Sequence, residues 1–185
     1  MEKEKMPIVV NMFASPGSGK STLASYTFAK LKMLGVNCEL VTEFAKDKVW
    51  ENNNTALANQ LYVFAKQYYR VDRCADKVDV IITDSPLALS PMYNKDPDIH
   101  EPLKQLALKI ANKYNNLNYF IRRIKKYNPI GRLQTEAESD EIAVKLRDAM
   151  DANGIKYTAI DGDLMSADII VNDIMKFLER TDLNS

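Results

Sequence analysis

The sequence has little cysteine, little histidine and no excess charge of either sign. Cys38 and Cys74 are the only cysteines, no CxxC pair occurs, and His100 is the single histidine. That excludes a disulfide scaffold and the usual zinc frameworks, and makes an intracellular, reducing compartment the simplest expectation. The two cysteines read as small buried apolar side chains and His100 as a surface residue near a helix start. Lys plus Arg number 25, and so do Asp plus Glu. A general nucleic-acid coat or a membrane-surface protein would carry a basic excess. No apolar run approaches the roughly 18 residues of a membrane span. Met1-Glu2-Lys3-Glu4-Lys5 alternates charge and leads into a strand-like run, so no signal peptide is expected. Internal repeats, low-complexity tracts and linkers are also lacking. What remains is a chain of 185 residues, 46% hydrophobic. That is enough to order most of the chain and to build one core without staples, so a single domain is expected over 1–185.

The hydrophobic pattern alternates between strand and helix. Strands are expected at 8–13, 36–42, 78–83, 117–121 and 155–160. Helices are expected at 20–34, 55–76, 100–113, 136–152 and 165–180. Gly35 and Gly154 close two of these helices, and Thr135 with Glu138 forms a capping-box signature. Five strands joined by helical crossovers make a parallel sheet with helices on both faces. Pro86, Pro91, Pro97 and Pro102 cluster after the third strand. They suggest a shaped loop over one end of the sheet.

The segment Ala14-Ser15-Pro16-Gly17-Ser18-Gly19-Lys20-Ser21-Thr22 follows a strand and opens a helix. This is the context of a Walker A phosphate loop, with Ala14 where its first glycine usually stands. Glycines let backbone N–H groups converge on phosphate oxygens, and the helix N-terminus adds donors and a favourable dipole. Lys20 is expected on the β- and γ-phosphates, Ser21 on Mg²⁺ and Thr22 on the α-phosphate. The expected fold class is therefore the three-layer α/β P-loop NTPase fold, binding ATP and Mg²⁺. Val80-Ile81-Ile82-Thr83-Asp84 is an apolar strand ending in a carboxylate, the Walker B form, so Asp84 is the second expected metal group.

Three features turn the reading toward phosphoryl transfer. Glu43 closes the second strand, and in an open α/β sheet the ligand crevice lies at the carboxyl ends of the strands. A carboxylate there can accept the proton of an attacking hydroxyl, a role open to Glu43 or Asp84. The run from Arg122-Arg123 through Lys125-Lys126 to Arg132 holds five basic groups and no acid. It is expected to form a lid over about 122–135 with Gly131 as hinge, in which Arg122 and Arg132 stabilise the transferring group. Glu136, Glu138, Asp140 and Glu141 follow at the next helix start, where they can pair with the lid arginines. Ile160-Asp161-Gly162-Asp163 offers a turn through which backbone can approach an adenine ring. On the long helix, Gln60, Phe64 and Gln67 form a candidate substrate wall with Asn59 and Arg70, since an amide can read a base edge with two hydrogen bonds. Phe44 beside Glu43, and Ser85 beside Asp84, complete the expected substrate set. Trp50, Tyr62, Tyr68, Tyr69 and Tyr93 can stack on a base or fill the core.

These residues resemble the P-loop nucleoside and nucleotide kinases. The segment from Thr42-Glu43-Phe44 to Trp50 looks like the Glu-Pro-x-x-x-Trp region of deoxynucleoside kinases with shifted spacing, which implies that Glu43 is the base for a sugar hydroxyl. In that family a helical Gln contacts the base, and Gln60 stands near the family's spacing from Asp84. The family's acid-Arg-Ser motif is Asp84-Ser85-Pro86 here, without the arginine. The chain is also similar to the ribosylnicotinamide kinase domain of bacterial NAD-synthesis proteins. A further likeness is to small P-loop kinases of large phages, some of which phosphorylate hydroxymethyluracil in DNA. The resemblance implies transfer from ATP to a hydroxyl of a nucleoside, a nucleotide or a modified nucleobase. The acceptor would be a free compound or a base in DNA, with the protein in the cytoplasm, or the host cytoplasm if phage-encoded. A P-loop ATPase or switch without an acceptor is the alternative of a different class, but the guanine-reading Asn-Lys-x-Asp motif of many switches is absent.

Overall fold

A computed structural model of the chain describes residues 6–130 and 134–182. Five strands, β1 (Ile8–Phe13), β2 (Cys38–Val41), β3 (Val80–Thr83), β4 (Asn115–Arg122) and β5 (Thr158–Asp161), form one parallel sheet in the order β2-β3-β1-β4-β5. Strand β1 is buried throughout because it lies at the centre with helices on either side. Ile8, Val10 and Met12 pack with Leu23 and Leu31 of α1 (Lys20–Met33) and Ile170 and Ile174 of α7 (Met165–Asp182). The alternate residue Val9 joins Phe64 and Val71 of α4 (Gln60–Ala75) and Leu103 and Ile110 of α5 (Pro97–Ala111). Phe13 meets Leu146 and Met150 of α6 (Glu136–Ala152). The period of two along β1 is thus answered by a helical layer on each face.

Polar residues also set the register. Asn11 Nδ2 donates across the sheet to Asn116 Oδ1 at 2.8 Å and Asn118 Oδ1 at 3.0 Å. These contacts let β4 begin at Asn115, earlier than its apolar residues suggest. The other departures from expectation are local. The long helix expected over 55–76 is broken at Asn59, whose side chain accepts from Tyr62 N and caps α4, leaving α3 (Asn54–Ala58) as a separate turn. A further short helix, α2 (Phe44–Trp50), fills the stretch after β2. The proline cluster is more regular than expected. Leu87–Tyr93 forms a 3-10 segment around Pro91, and α5 starts at Pro97 under an Asp96 cap with Pro102 inside it. Proline at the first helical position loses nothing, because that N–H has no intrahelical partner. Among the described residues, no helix is long and apolar enough to cross a membrane.

Candidate functional site at the carboxyl edge of the sheet

Strand β1 delivers its chain directly into the loop 14–19, and α1 begins at Lys20. Gly17 and Gly19 sit at φ +86° and +92°, conformations that a side chain would strain. Gly19 caps α1 without a side chain, and the first turn of α1 contains no acidic residue. The helix dipole and its N-terminal donors therefore face no negative group of their own turn, the arrangement that suits a phosphate. Lys20 Nζ donates back to the carbonyls of Ala14 (2.7 Å) and Ser15 (3.3 Å), which holds the ammonium over the loop. Ser21 and Thr22 are exposed at the start of α1.

The loop is braced from two sides by residues outside the motif. Ser139 on α6 is fully buried; its Oγ donates to the Pro16 carbonyl at 2.6 Å and contacts Ser15 Oγ at 3.0 Å, and Ser15 Oγ lies 3.2 Å from Ser18 Oγ. On the other side, Gly162 packs its backbone against the loop. A Cβ built there would lie 2.3 Å from the Ser18 carbonyl oxygen. Gly162 N–H also donates to the Arg122 carbonyl at 3.0 Å. The bareness of Gly162 is what lets the phosphate loop approach this closely.

The register brings the carboxylates to the same edge. Asn11 pairs with Thr83 and Thr83 with Val41, so Asp84 comes directly after the end of β3, and Glu43 comes two residues after the end of β2, at the N-cap of α2. Asp84 is 4% exposed, and its Oδ1 is enclosed without a hydrogen-bond partner. Burying a carboxylate oxygen unsatisfied is costly, so the atom marks a place for a cation or a donor. With the exposed Ser21 hydroxyl it makes a donor set that fits Mg²⁺. That ion keeps several waters and takes only one or two protein groups when phosphates supply the rest.

Glu43 is half-buried between β2 and α2, and α4 grips the backbone on both sides of it. Gln67 Oε1 accepts from Phe44 N at 2.8 Å and Nε2 donates to the Thr42 carbonyl at 3.4 Å. Arg70 donates to the Thr42 carbonyl at 3.2 Å and pairs with Asp47. Tyr93, on the 3-10 segment, feels the same carboxylate. Burial first, and the Glu43 charge second, push its phenol up to about 12. The residue itself stays 40% exposed.

Several expected substrate residues take other places. Gln67, expected to read a base edge, has its amide turned onto the backbone around Glu43. Phe64 is a core residue stacked on Tyr68, with ring centroids 6.5 Å apart. Phe44 is buried under Tyr62, Lys48 and Arg70. Gln60 is buried at the start of α4, and Ser85 N donates to Thr83 Oγ1 at 3.1 Å in the turn after β3. Arg122 pairs with Asp161 at 2.8 Å where β4 meets β5. Its neighbour Arg123 is the arginine that α6 holds, through Glu136 at 2.5 Å and Asp140. Partial burial works against that guanidinium's charge, but the two carboxylates hold its pKa above the usual value. Arg132 and the hinge expected at Gly131 lie outside the described residues. Ser139 escaped the sequence reading. Its only signal is a hydroxyl on the stripe that continues as Leu146 and Met150.

The sheet order, the phosphate loop and the carboxylates at the strand ends define a P-loop kinase-like α/β fold. A family model described as an AAA domain matches residues 9–166, and the chain belongs to that family. Among solved structures it is similar to a NadR protein crystallised in complex with NR, at 17% identity and a TM-score of 0.70. That match covers 89% of this chain and 51% of the other, so the chain spans about half the length of that protein. It is also similar to a thymidylate kinase from Ehrlichia chaffeensis, at 15% identity and a TM-score of 0.56, over 94% of this chain and 99% of the other. At these identities the likeness is one of fold. No curated protein matches the sequence.

Proposed function

We propose that the protein is a kinase that transfers the γ-phosphoryl group of ATP to a hydroxyl of a nucleoside, a nucleotide or a modified nucleobase. The observation that carries this reading is the buried, partnerless Asp84 oxygen on the strand beside the phosphate loop, with Glu43 at the next strand end. A bare nucleotide binder needs the loop; a transferase also needs a carboxylate for the acceptor proton. The two similar structures, one crystallised with NR and one a thymidylate kinase, support an acceptor of nucleoside type. That all described strands share one sheet supports one kinase domain, with the lid over about 122–135.

In this mechanism the backbone N–H groups of residues 17–22 and the Lys20 ammonium cradle the phosphates, and Lys20 exchanges its loop carbonyls for phosphate oxygens. Ser21 and Asp84 would hold Mg²⁺, which would offset charge on the transferring group. Glu43 takes the proton of the acceptor hydroxyl as its oxygen attacks phosphorus, and ADP leaves in line. Gln67 and Arg70 hold Glu43 in place through the backbone. Arg122, at the end of β4, leads into the lid segment, and Asp161 with Gly162 line the side where the nucleotide base enters.

The test is Glu43→Gln. Loss of a general base typically costs about 10²–10⁴ in turnover, while ATP affinity should stay at the wild-type value. An unchanged rate would transfer the base role to Asp84.

A further inference from the structure

We infer that Ser139, on α6 and 117 residues downstream of the motif's last residue, is a positioning residue for the phosphate loop. This rests on the proposed nucleotide site and adds a residue that the motif does not contain. A hydroxyl has one proton to give, and a carbonyl can only accept. Ser139 lies 2.6 Å from the Pro16 carbonyl oxygen, so its proton goes there. The same Oγ lies 3.0 Å from Ser15 Oγ, which in turn lies 3.2 Å from Ser18 Oγ. The Pro16 carbonyl is thus tied to a cluster of three hydroxyls, those of Ser139, Ser15 and Ser18. Ser139 is 0% exposed, Ser15 3% and Ser18 5%, so water does not compete for these bonds.

The bond from Ser139 to the Pro16 carbonyl orients the loop. In a trans peptide the C=O and the following N–H point opposite ways. Holding the Pro16 carbonyl against α6 therefore turns the Gly17 N–H away from α6. Gly17 needs this help, because at φ +86° it has no side chain to restrict it. Ser139 itself is well anchored. The Thr135–Glu138 capping box fixes the helix start, with Thr135 N donating to Glu138 Oε2 at 2.7 Å. Glu136 and Asp140, on either side of Ser139, grip Arg123.

The experiment is isothermal titration of the full chain with a non-hydrolysable ATP analogue, alongside thermal denaturation without ligand. Ser139→Ala should weaken analogue binding by about five- to tenfold, the usual worth of one hydrogen bond plus a carbonyl left unpaired. Ser139→Cys, of similar size but a weak donor, should fall between it and wild type, and it serves if the alanine variant does not fold. Wild-type affinity in both folded variants, with only the melting temperature lowered, would overturn the proposal. If wild type itself fails to bind the analogue, or binds it as well after Lys20→Ala, the nucleotide site is wrong rather than the role of Ser139.

Discussion

Replacing Gly162 by alanine tests how the phosphate loop is built, because the obstacle it creates is backbone. The new Cβ would lie 2.3 Å from the Ser18 carbonyl oxygen, 3.2 Å from the Arg122 carbonyl oxygen and 3.4 Å from Ile121 Cγ2. Carbon–oxygen contacts normally start near about 3.3 Å, so Ser18 must move by roughly 1 Å. No rotamer relieves the clash. Overpacking of this kind costs about 1–3 kcal/mol, which for a chain of this length lowers the melting temperature by about 2–12 °C. The functional loss should be larger than the loss of stability suggests. Ser18 lies between Gly17 and Gly19, whose N–H groups are meant to meet phosphate, and a misplacement of about 1 Å at a reacting site costs on the order of 10²-fold. Denaturation and a phosphoryl-transfer assay measure the two effects separately. Wild-type stability and turnover in Gly162→Ala would refute the reasoning.

The clamp on Glu43 predicts a different pattern. Gln67→Leu keeps the bulk of the side chain but releases Phe44 N and the Thr42 carbonyl. It should cost about 1–3 kcal/mol of stability and lower turnover more than ATP affinity, whereas a role in reading the acceptor base would show as a raised acceptor KM alone. Alkaline pH offers a further check. Burial is the main cause that raises the phenols of Tyr93, Tyr114 and Tyr119, the first to about 12. Because the folded state keeps these protons after the unfolded state has lost them, stability should fall as pH rises from about 10. An ultraviolet titration should show late-ionising tyrosines that join the early group on denaturation; a single early transition in the native protein would contradict this.

What could be read in the sequence follows from what is local. The phosphate loop declares itself because its glycines, Lys20 and the helix after them are contiguous, and β1 and β3 because each is a short, almost wholly apolar run, broken in β1 only by Asn11. Asp84 and Glu43 were legible as strand ends, and the crossover rule placed those ends on one edge of the sheet. Side-chain destinations were not legible. An apolar stripe on α4 looks the same whether Phe64 faces a ligand or the core, and no spacing shows that Gln67 turns its amide onto residues 42–44. The break at Asn59 is one side-chain hydrogen bond within an otherwise helical pattern. The choice between Arg122 and Arg123 as the partner of α6 is set by strand phase. The brace from Ser139 is a contact between residues 124 apart in sequence, and only the folded chain brings them together.

The central claim, phosphoryl transfer from ATP to a nucleoside-type hydroxyl, is tested most directly with ATP labelled in its γ-phosphate. The label is followed into nucleosides, nucleoside monophosphates, nicotinamide riboside and duplex DNA carrying hydroxymethylated bases. The account predicts that label appears in one of these acceptors with wild-type protein and in none with Lys20→Ala. Release of labelled inorganic phosphate from ATP, with no acceptor labelled, would contradict it.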